Sequence, residues 1–548
     1  MFDAKPLLSA LSRRDFLKAL AALSLSPWYK AAQAETMPNR LSGQEFHLQI
    51  SHKVVNFSGK SGLGIAVNNS IPAPTLHWRE GDTVTIHVTN LLEVETSIHW
   101  HGIILPAQMD GAAGISFEGI PPQTRFTYQF KVQQSGTYWY HSHSGMQEQL
   151  GLYGAIVIEP KTGETLITDR DYVVQLSDWT DEDPLTVFAH LKKQSDYYNF
   201  NQPTVMDFFR DIQNQGLTAA INNRTMWNQM RMSPTDLADI SAYTYQYLIN
   251  GHNSAQDWTG LFKPGERVRL RFINAGAQSF FDIRIPGLKM TVVQADGQAI
   301  EPVTVDEFRL GSAESYDVII EPQAAVYCLF AQSMDRTGYA RATLTSQPGL
   351  QAAIPALDAP QPLSHLDMMG DPQALVPVHH ANTEYTAAVD MHIDSPRSNL
   401  DDPGIGLRNN GRRVLSYADL HTLGGSLDKR PVEREIELHL TGNMHRYSWS
   451  FDGLELHQAS PIHLHEGERL RVILHNDTMM THPIHLHGMW CELENADGQF
   501  QVRKHTINVQ PGQRISFRVT ADARGAWPLH CHLFYHMHAG MFRVVMVD

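Results

Sequence analysis

The chain has 548 residues, with 43 Lys and Arg against 58 Asp and Glu and a formal charge of −15. An acidic balance argues against a nucleic-acid partner, because phosphate binding rests on basic patches, and suits a protein that handles cations. Three cysteines are too few for a disulfide scaffold, and the length accommodates three domains of ordinary size.

Residues 1–34 read as an export signal rather than as part of the fold. Residues 12–18 (SRRDFLK) form a twin-arginine motif, residues 19–25 a short apolar run, and residues 32–34 (AQA) a small-residue cleavage site. The apolar run is too short for a stable membrane anchor after cleavage. The expectation is export in the folded state, by the twin-arginine translocation machinery, to a bacterial periplasm. Cleavage removes five basic residues (Lys5, Arg13, Arg14, Lys18, Lys30) and two acidic ones (Asp3, Asp15), which leaves the mature chain more acidic still.

Beyond the signal the pattern is β throughout. Residues 81–90 (GDTVTIHVTN), 265–274 (GERVRLRFIN) and 467–476 (GERLRVILHN) repeat one scheme. Each opens on Gly and an acid, alternates apolar side chains at period two, and closes on Asn. That reads as a half-buried strand between turns. Gly136 precedes His141 by five residues, as Gly525 precedes His530. Three all-β units are therefore expected, at 41–163, 164–348 and 386–548. The first and third are copies with ligands on matching strands, and the middle one is a spacer without them. Residues 191–232 break the β pattern and read as a helical insertion in the second unit. Residues 349–385, rich in Pro and Ala, read as a linker.

Four His-x-His pairs punctuate the outer units: His99 and His101, His141 and His143, His485 and His487, His530 and His532. On an extended segment alternate side chains share a face, so each pair presents two imidazoles in one direction. Four pairs can converge on one cluster, which must lie between the first and third units. Cys531 stands inside the last pair, with His536 at Cys+5 and Met541 at Cys+10. Thiolate, imidazoles and a distant thioether are the ligands of a blue-copper site, whose second histidine must come from elsewhere in the chain. Cys531 faces away from His530 and His532, so two metal sites are wired through adjacent residues.

These four segments together resemble the multicopper oxidases and match that family's diagnostic motifs. The resemblance implies three cupredoxin-like Greek-key sandwiches and four copper ions. The type 1 copper would be held by His482, Cys531 and His536, with Met541 axial, and the type 2 copper by His99 and His485. One type 3 copper would take His101, His141 and His532, and the other His143, His487 and His530. It also implies that a reductant gives single electrons to the type 1 site, that they pass through Cys531 to His530 and His532, and that O2 is reduced to two waters. Asp110 matches the position of an acid near the cluster in family members, though a turn role before Gly111 is the alternative. Met537 stands where some relatives carry a second acid.

Residues 133–145, 176–184, 231–239 and 476–482 are similar to the copper-resistance protein A subfamily, whose members are periplasmic oxidases associated with copper tolerance. Those proteins often carry Met- and His-rich repeats before the third domain. Here the region holds only His365, Met368, Met369, His379 and His380, which reads as exposed linker and argues against copper storage. Asp477, Met479 and Met480 precede His482 on an expected route to the type 1 copper and form a candidate Cu(I) site; packing over the copper is the alternative for the methionines. Cu(I) is the expected reductant, with a small phenol, as in laccases, or plain copper sequestration as alternatives. Cys328 and Cys491 either pair or remain buried thiols.

Overall fold

The computed structural model describes residues 39–230, 232–371, 373 and 378–548; the export signal expected at 1–34 lies outside them. The described strands form six sheets, two for each of three successive units. In the first unit, Arg40–Ser42, Ala73–Arg79, Tyr153–Glu159, Gly136–His141 and His99–His101 form one sheet, and Gly62–Val67, Glu45–Val55, Thr83–Asn90 and Arg125–Lys131 the other. Glu45–Val55 buries alternate residues from Phe46 to Ile50, as a strand with one face on a core must. The second and third units each pair a six-stranded sheet with a five-stranded one, and their strand orders correspond strand for strand. Where the third unit has His482–Leu486 and Gly525–Cys531, the second has Phe281–Arg284 and Val326–Ser333, without a histidine.

The asparagine that closes each of the three similar segments makes the same bonds every time. Asn90, Asn274 and Asn476 each accept from the backbone N–H two residues on, at Leu92, Gly276 and Thr478. Each Nδ2 then donates to a nearby carbonyl (Val94, Ser279, Met480) and to a remote one (Ile120, Leu310, Val509). A buried amide that satisfies both a turn and a crossing strand fixes where the loop leaves the sheet.

The helical insertion begins earlier than the sequence suggests and is broken in two places. Its helices are Pro184–Lys193, Val205–Gln215 and Leu217–Met230. Asp183 caps the first by accepting from Thr186 N, with Pro184 in the first turn. Thr204 and Asp207 form a capping box on the second. The described part of 349–385 is no free linker. Arg341 donates to the Ala352 carbonyl, and Arg284 to the Ala356 carbonyl and the Asp358 carboxylate, which straps this segment along the second unit. All three cysteines are free and buried.

The second and third units are joined by a buried cation. Lys504, fully buried, pairs with Asp296 Oδ2 at 3.0 Å and Glu314 Oε1 at 2.9 Å, both equally buried. Its ammonium also lies 5.2 and 5.3 Å from the rings of Tyr316 and Tyr417. Burial opposes its charge, but the two carboxylates outweigh that and hold its pKa above the ordinary value. Asp296 also accepts from the backbone N–H groups of His505 and Thr506. Lys504→Met strands two buried acids, so it is expected to cost about 3–5 kcal/mol. Arg40→Ala, at an exposed pair with Glu159, should cost no more than about 1 kcal/mol. Denaturant unfolding of both variants checks the contrast.

Candidate metal centres

The smaller constellation sits inside the third unit. Strand Gly525–Cys531 pairs with His482–Leu486, which sets Cys531 opposite Ile484 and brings His482 to its side. The short helix Phe534–His538 then returns His536. Cys531 Sγ lies 3.5 Å from His482 Nδ1 and 3.9 Å from His536 Nδ1, and the two nitrogens are 3.2 Å apart. All three side chains are buried. Met541 is buried against them; its carbonyl accepts from Cys531 N and its N–H donates to the His536 carbonyl. The outer nitrogens are pinned. Thr478 Oγ1 is 2.7 Å from His482 Nε2, Asp239 Oδ2 is 2.8 Å from His536 Nε2, and Trp449 stacks on His536 at 3.9 Å. Burial pushes the Cys531 thiol up and the His482 imidazole well down. The thiolate therefore forms only when a cation arrives to hold it.

The larger constellation lies between the first and third units. His99 pairs with His141 across one sheet, and His485 with His530 across another. His143, His487 and His532 follow directly as the chain leaves these strands. The eight imidazoles meet ring to ring. His99 stacks on His487 and His101 on His485, both at 3.8 Å, while His143 is 5.1 Å from both His487 and His530. His532 Nε2 is 3.4 Å from His141 Nε2, and His487 Nε2 is 3.1 Å from His530 Nε2. Burial, with neighbouring imidazoles adding to it for most of them, holds His101, His141, His143, His485, His487 and His532 far below the ordinary imidazole value and His530 near 3. These seven rings are neutral, as metal ligands must be.

The nitrogens divide into two classes. Nε2 of His99, His143 and His485 and Nδ1 of His101 are buried without a hydrogen-bond partner. Each such orphan costs about 1–3 kcal/mol in a metal-free protein. The nitrogens on the far side are held. His487 Nδ1 donates to Asp110 Oδ2 at 2.8 Å and His99 Nδ1 to the Asp110 carbonyl at 2.9 Å. His141 Nδ1 meets Glu148 Oε2 at 2.6 Å, and His530 Nδ1 the Cys531 carbonyl at 2.9 Å. Imidazoles anchored on one nitrogen and bare on the other fit metal ions, and the anchors set the tautomer.

Asp110 is fully buried and holds two of the cluster's histidines. It also closes a tight turn, as the alternative reading has it: Gly111 has φ +88°, and a Cβ there would sit 1.8 Å from the Ile98 carbonyl oxygen. Three partners escaped the sequence reading. Glu148 is buried beside His141, and burial raises its pKa well above the carboxyl range. His505 adds a ninth imidazole to the cluster, with Nδ1 at 3.2 Å from His101 Nε2 and its carbonyl accepting from His485 Nδ1. Gly102 leaves room for that ring, since a Cβ would come within 2.4 Å of it. Asp239 comes from the second unit. None has a His-x-His spacing to mark it.

Asp477, Met479 and Met480 are all buried, and they do not form a surface route to His482. Asp477 turns its carboxylate to His439 Nδ1 at 2.6 Å and to Ile393 N. Met479 lines a small cavity with Leu237 and Met334. Thr478, between them, is the residue that reaches His482.

A cysteine between two imidazoles, joining a three-ligand site to an eight-histidine cluster on cupredoxin-like sandwiches, defines a copper oxidoreductase. Models of the multicopper oxidase family match residues 49–163, 170–349 and 429–548, and the chain belongs to that family. It is 52% identical to Copper resistance protein A of Escherichia coli, over 98% of this chain and 99% of that protein. It is likewise 52% identical to the Copper resistance protein A homolog of Pseudomonas syringae pv. tomato, over 98% and 99%. To Multicopper oxidase MmcO of Mycobacterium tuberculosis the identity is 32%, over 89% and 84%. Among solved structures, the multicopper oxidase Fet3p shares the fold with a TM-score of 0.66 at 19% identity, over 93% of this chain and 91% of that one. A multicopper oxidase from Campylobacter jejuni does so with a TM-score of 0.60 at 18% identity, over 94% of each.

Cys531→Ser is expected to abolish the blue thiolate-to-copper absorption while the histidine cluster keeps its metal; absorption spectra with copper analysis check both. Asp110→Asn and Glu148→Gln keep shape but weaken the anchors, so the cluster should bind copper about 10–100-fold more weakly with the blue band retained, as copper titration measures.

Proposed function

We propose that the chain is a periplasmic oxidase that takes electrons singly from Cu(I), passes them to O2, and so contributes to copper resistance. The observation that carries this reading is the close packing of His482, Cys531 and His536, continuous through Cys531 with a cluster of neutral, half-anchored imidazoles. The near-full-length likeness to proteins named for copper resistance points to the biological role. The twin-arginine motif at 12–18 supports export in the folded state.

His482, Cys531, His536 and Met541 are assigned to a type 1 copper, and His99 and His485 to type 2. His101, His141 and His532, and His143, His487 and His530, are assigned to the two type 3 ions. Copper bound there supplies one-electron oxidation of the reductant and four-electron reduction of O2 to water. Cys531 gives that electron flow its covalent route, since His530 and His532 are its chain neighbours. Asp110 and Glu148, which hold Nδ1 protons of His487 and His141, are assigned to proton delivery. Glu148 stands in for the acid that Met537 replaces.

Access for the reductant is assigned to the helical insertion. A cleft of about 890 Å³ is lined there by Trp227, Met232, Asp236, Leu237 and Met444. Three residues beyond Asp236, Asp239 contacts the imidazole of His536. A carboxylate and two thioethers in one lining suit a cuprous ion. The size of the cleft, within the range of small-molecule sites, favours a phenol as second reading. Asp236→Asn separates them. It should lower kcat/KM for Cu(I) about tenfold or more, equivalent to about 1.4 kcal/mol, and leave a bulky phenol within about twofold. Equal losses for both in steady-state kinetics would remove Cu(I) from this cleft.

A further inference from the structure

A second group of imidazoles and carboxylates is buried in the third unit, built from residues that no copper motif includes. His380 precedes the turn Asn382–Glu384, which carries Glu384. His439 lies on strand Arg434–Asn443, and Asp477 follows strand Arg469–Asn476. Glu384 Oε2 is 2.9 Å from His380 Nδ1 and 3.5 Å from His439 Nδ1. Asp477 Oδ2 is 2.6 Å from His439 Nδ1 and 3.6 Å from His380 Nδ1. All four side chains are at most 4% exposed. His392 lies 5.0 Å from His380, and His475 stacks on His439 at 4.7 Å.

We propose that His380, Glu384, His439 and Asp477 form a binding site for a divalent transition-metal ion, best Cu(II), separate from the copper centres of the oxidase. The spacing fits. Neighbouring donors around a square-planar or tetragonal ion with bonds of about 2.0–2.1 Å stand roughly 3 Å apart, and the four imidazole–carboxylate pairs, which run alternately round the group, stand 2.6–3.6 Å apart. The donor chemistry is mixed imidazole and carboxylate, borderline to hard, which selects a divalent ion, with Cu(II) bound most tightly among the first row. No thiolate or thioether belongs to the set, so Cu(I) is disfavoured.

The charge fits as well. Two buried carboxylates share this spot, and among the described residues their recorded ion-pair partners are imidazoles only, with no Arg or Lys. Such charges need a cation or a proton. The imidazoles are also half satisfied, since Nε2 of His380, His392 and His439 are buried without a hydrogen bond, although carboxylates of Asp394 and Glu437 lie 3.4 and 3.7 Å from those of His380 and His439. An incoming ion takes the Nδ1 lone pairs of His380 and His439, each ring keeping its one proton on the Nε2 that makes no hydrogen bond, and neutralises both acids. His380, expected in an exposed linker, is thus drawn into a built site.

Copper-loaded full-length protein, equilibrated with excess Cu(II) and then desalted, tests this by metal analysis. Wild type should retain one equivalent more than the double variant Glu384→Gln/Asp477→Asn, with the blue absorption per protein unchanged. Equal retention by two blue, folded proteins overturns the proposal. Should the double variant not fold, Co(II) added to wild type loaded with copper to four equivalents and no further decides. One equivalent giving ligand-field bands of a low-symmetry N/O site supports the proposal, and the spectrum of aqueous Co(II) alone overturns it.

Discussion

The structure depends on the alternation of side chains at His530, Cys531 and His532. On an extended segment, neighbours cannot face the same way. The thiol therefore enters the third unit's own core beside His482 and His536, while the imidazoles on either side face the first unit. Two metal-binding environments of different chemistry are thus held one residue apart. One is soft and closed within a sandwich, and the other is a ring of neutral imidazoles at an interface. Neither can shift without the other, because one strand carries both.

That strand imposes a cost elsewhere. Burying so many imidazoles leaves four ring nitrogens of the eight-histidine cluster without a hydrogen bond, and interiors tolerate such groups poorly. The protein limits the cost by anchoring the opposite nitrogens, on Asp110, Glu148 and backbone carbonyls. The anchored rings are oriented before any metal binds, so little rearrangement accompanies loading. Depressed imidazole pKa values follow from the same burial and keep the ligand lone pairs free of protons.

The second unit carries no metal motif, yet it holds parts of both centres. Asp239 fixes His536, and Ser312 contacts the ring and carbonyl of His532. The turn after Asn274 accepts Phe534 N at the Ala277 carbonyl and Tyr535 N at the Gln278 side chain, which clamps the loop between Cys531 and His536. Asp296 and Glu314 bind Lys504, and through it the segment whose His505 braces His101 and His485. The unit expected as a spacer is a scaffold against which the ligand loops of the third unit are set.

The elements that depend on local pattern were legible in the chain. Period-two alternation marked the strands, the three similar segments marked the units, and the His-x-His pairs with Cys531 marked the ligands, because each rests on neighbours within a few residues. The partition of those residues among four ions comes from the family resemblance and remains a proposal. The helical insertion was legible in kind, but its start at Pro184 was missed because its first turn is fixed by the Asp183 cap rather than by composition. What only the tertiary structure decided rests on contacts between distant residues. Glu148 beside His141, His505 against His101 and Asp239 on His536 join segments that share no local pattern. Asp477 shows the same limit from the other side. Five residues before His482, it is turned by the end of its strand towards His439 and His380, because side-chain direction at a strand end is set by the sheets packed around it and not by its neighbours in the chain.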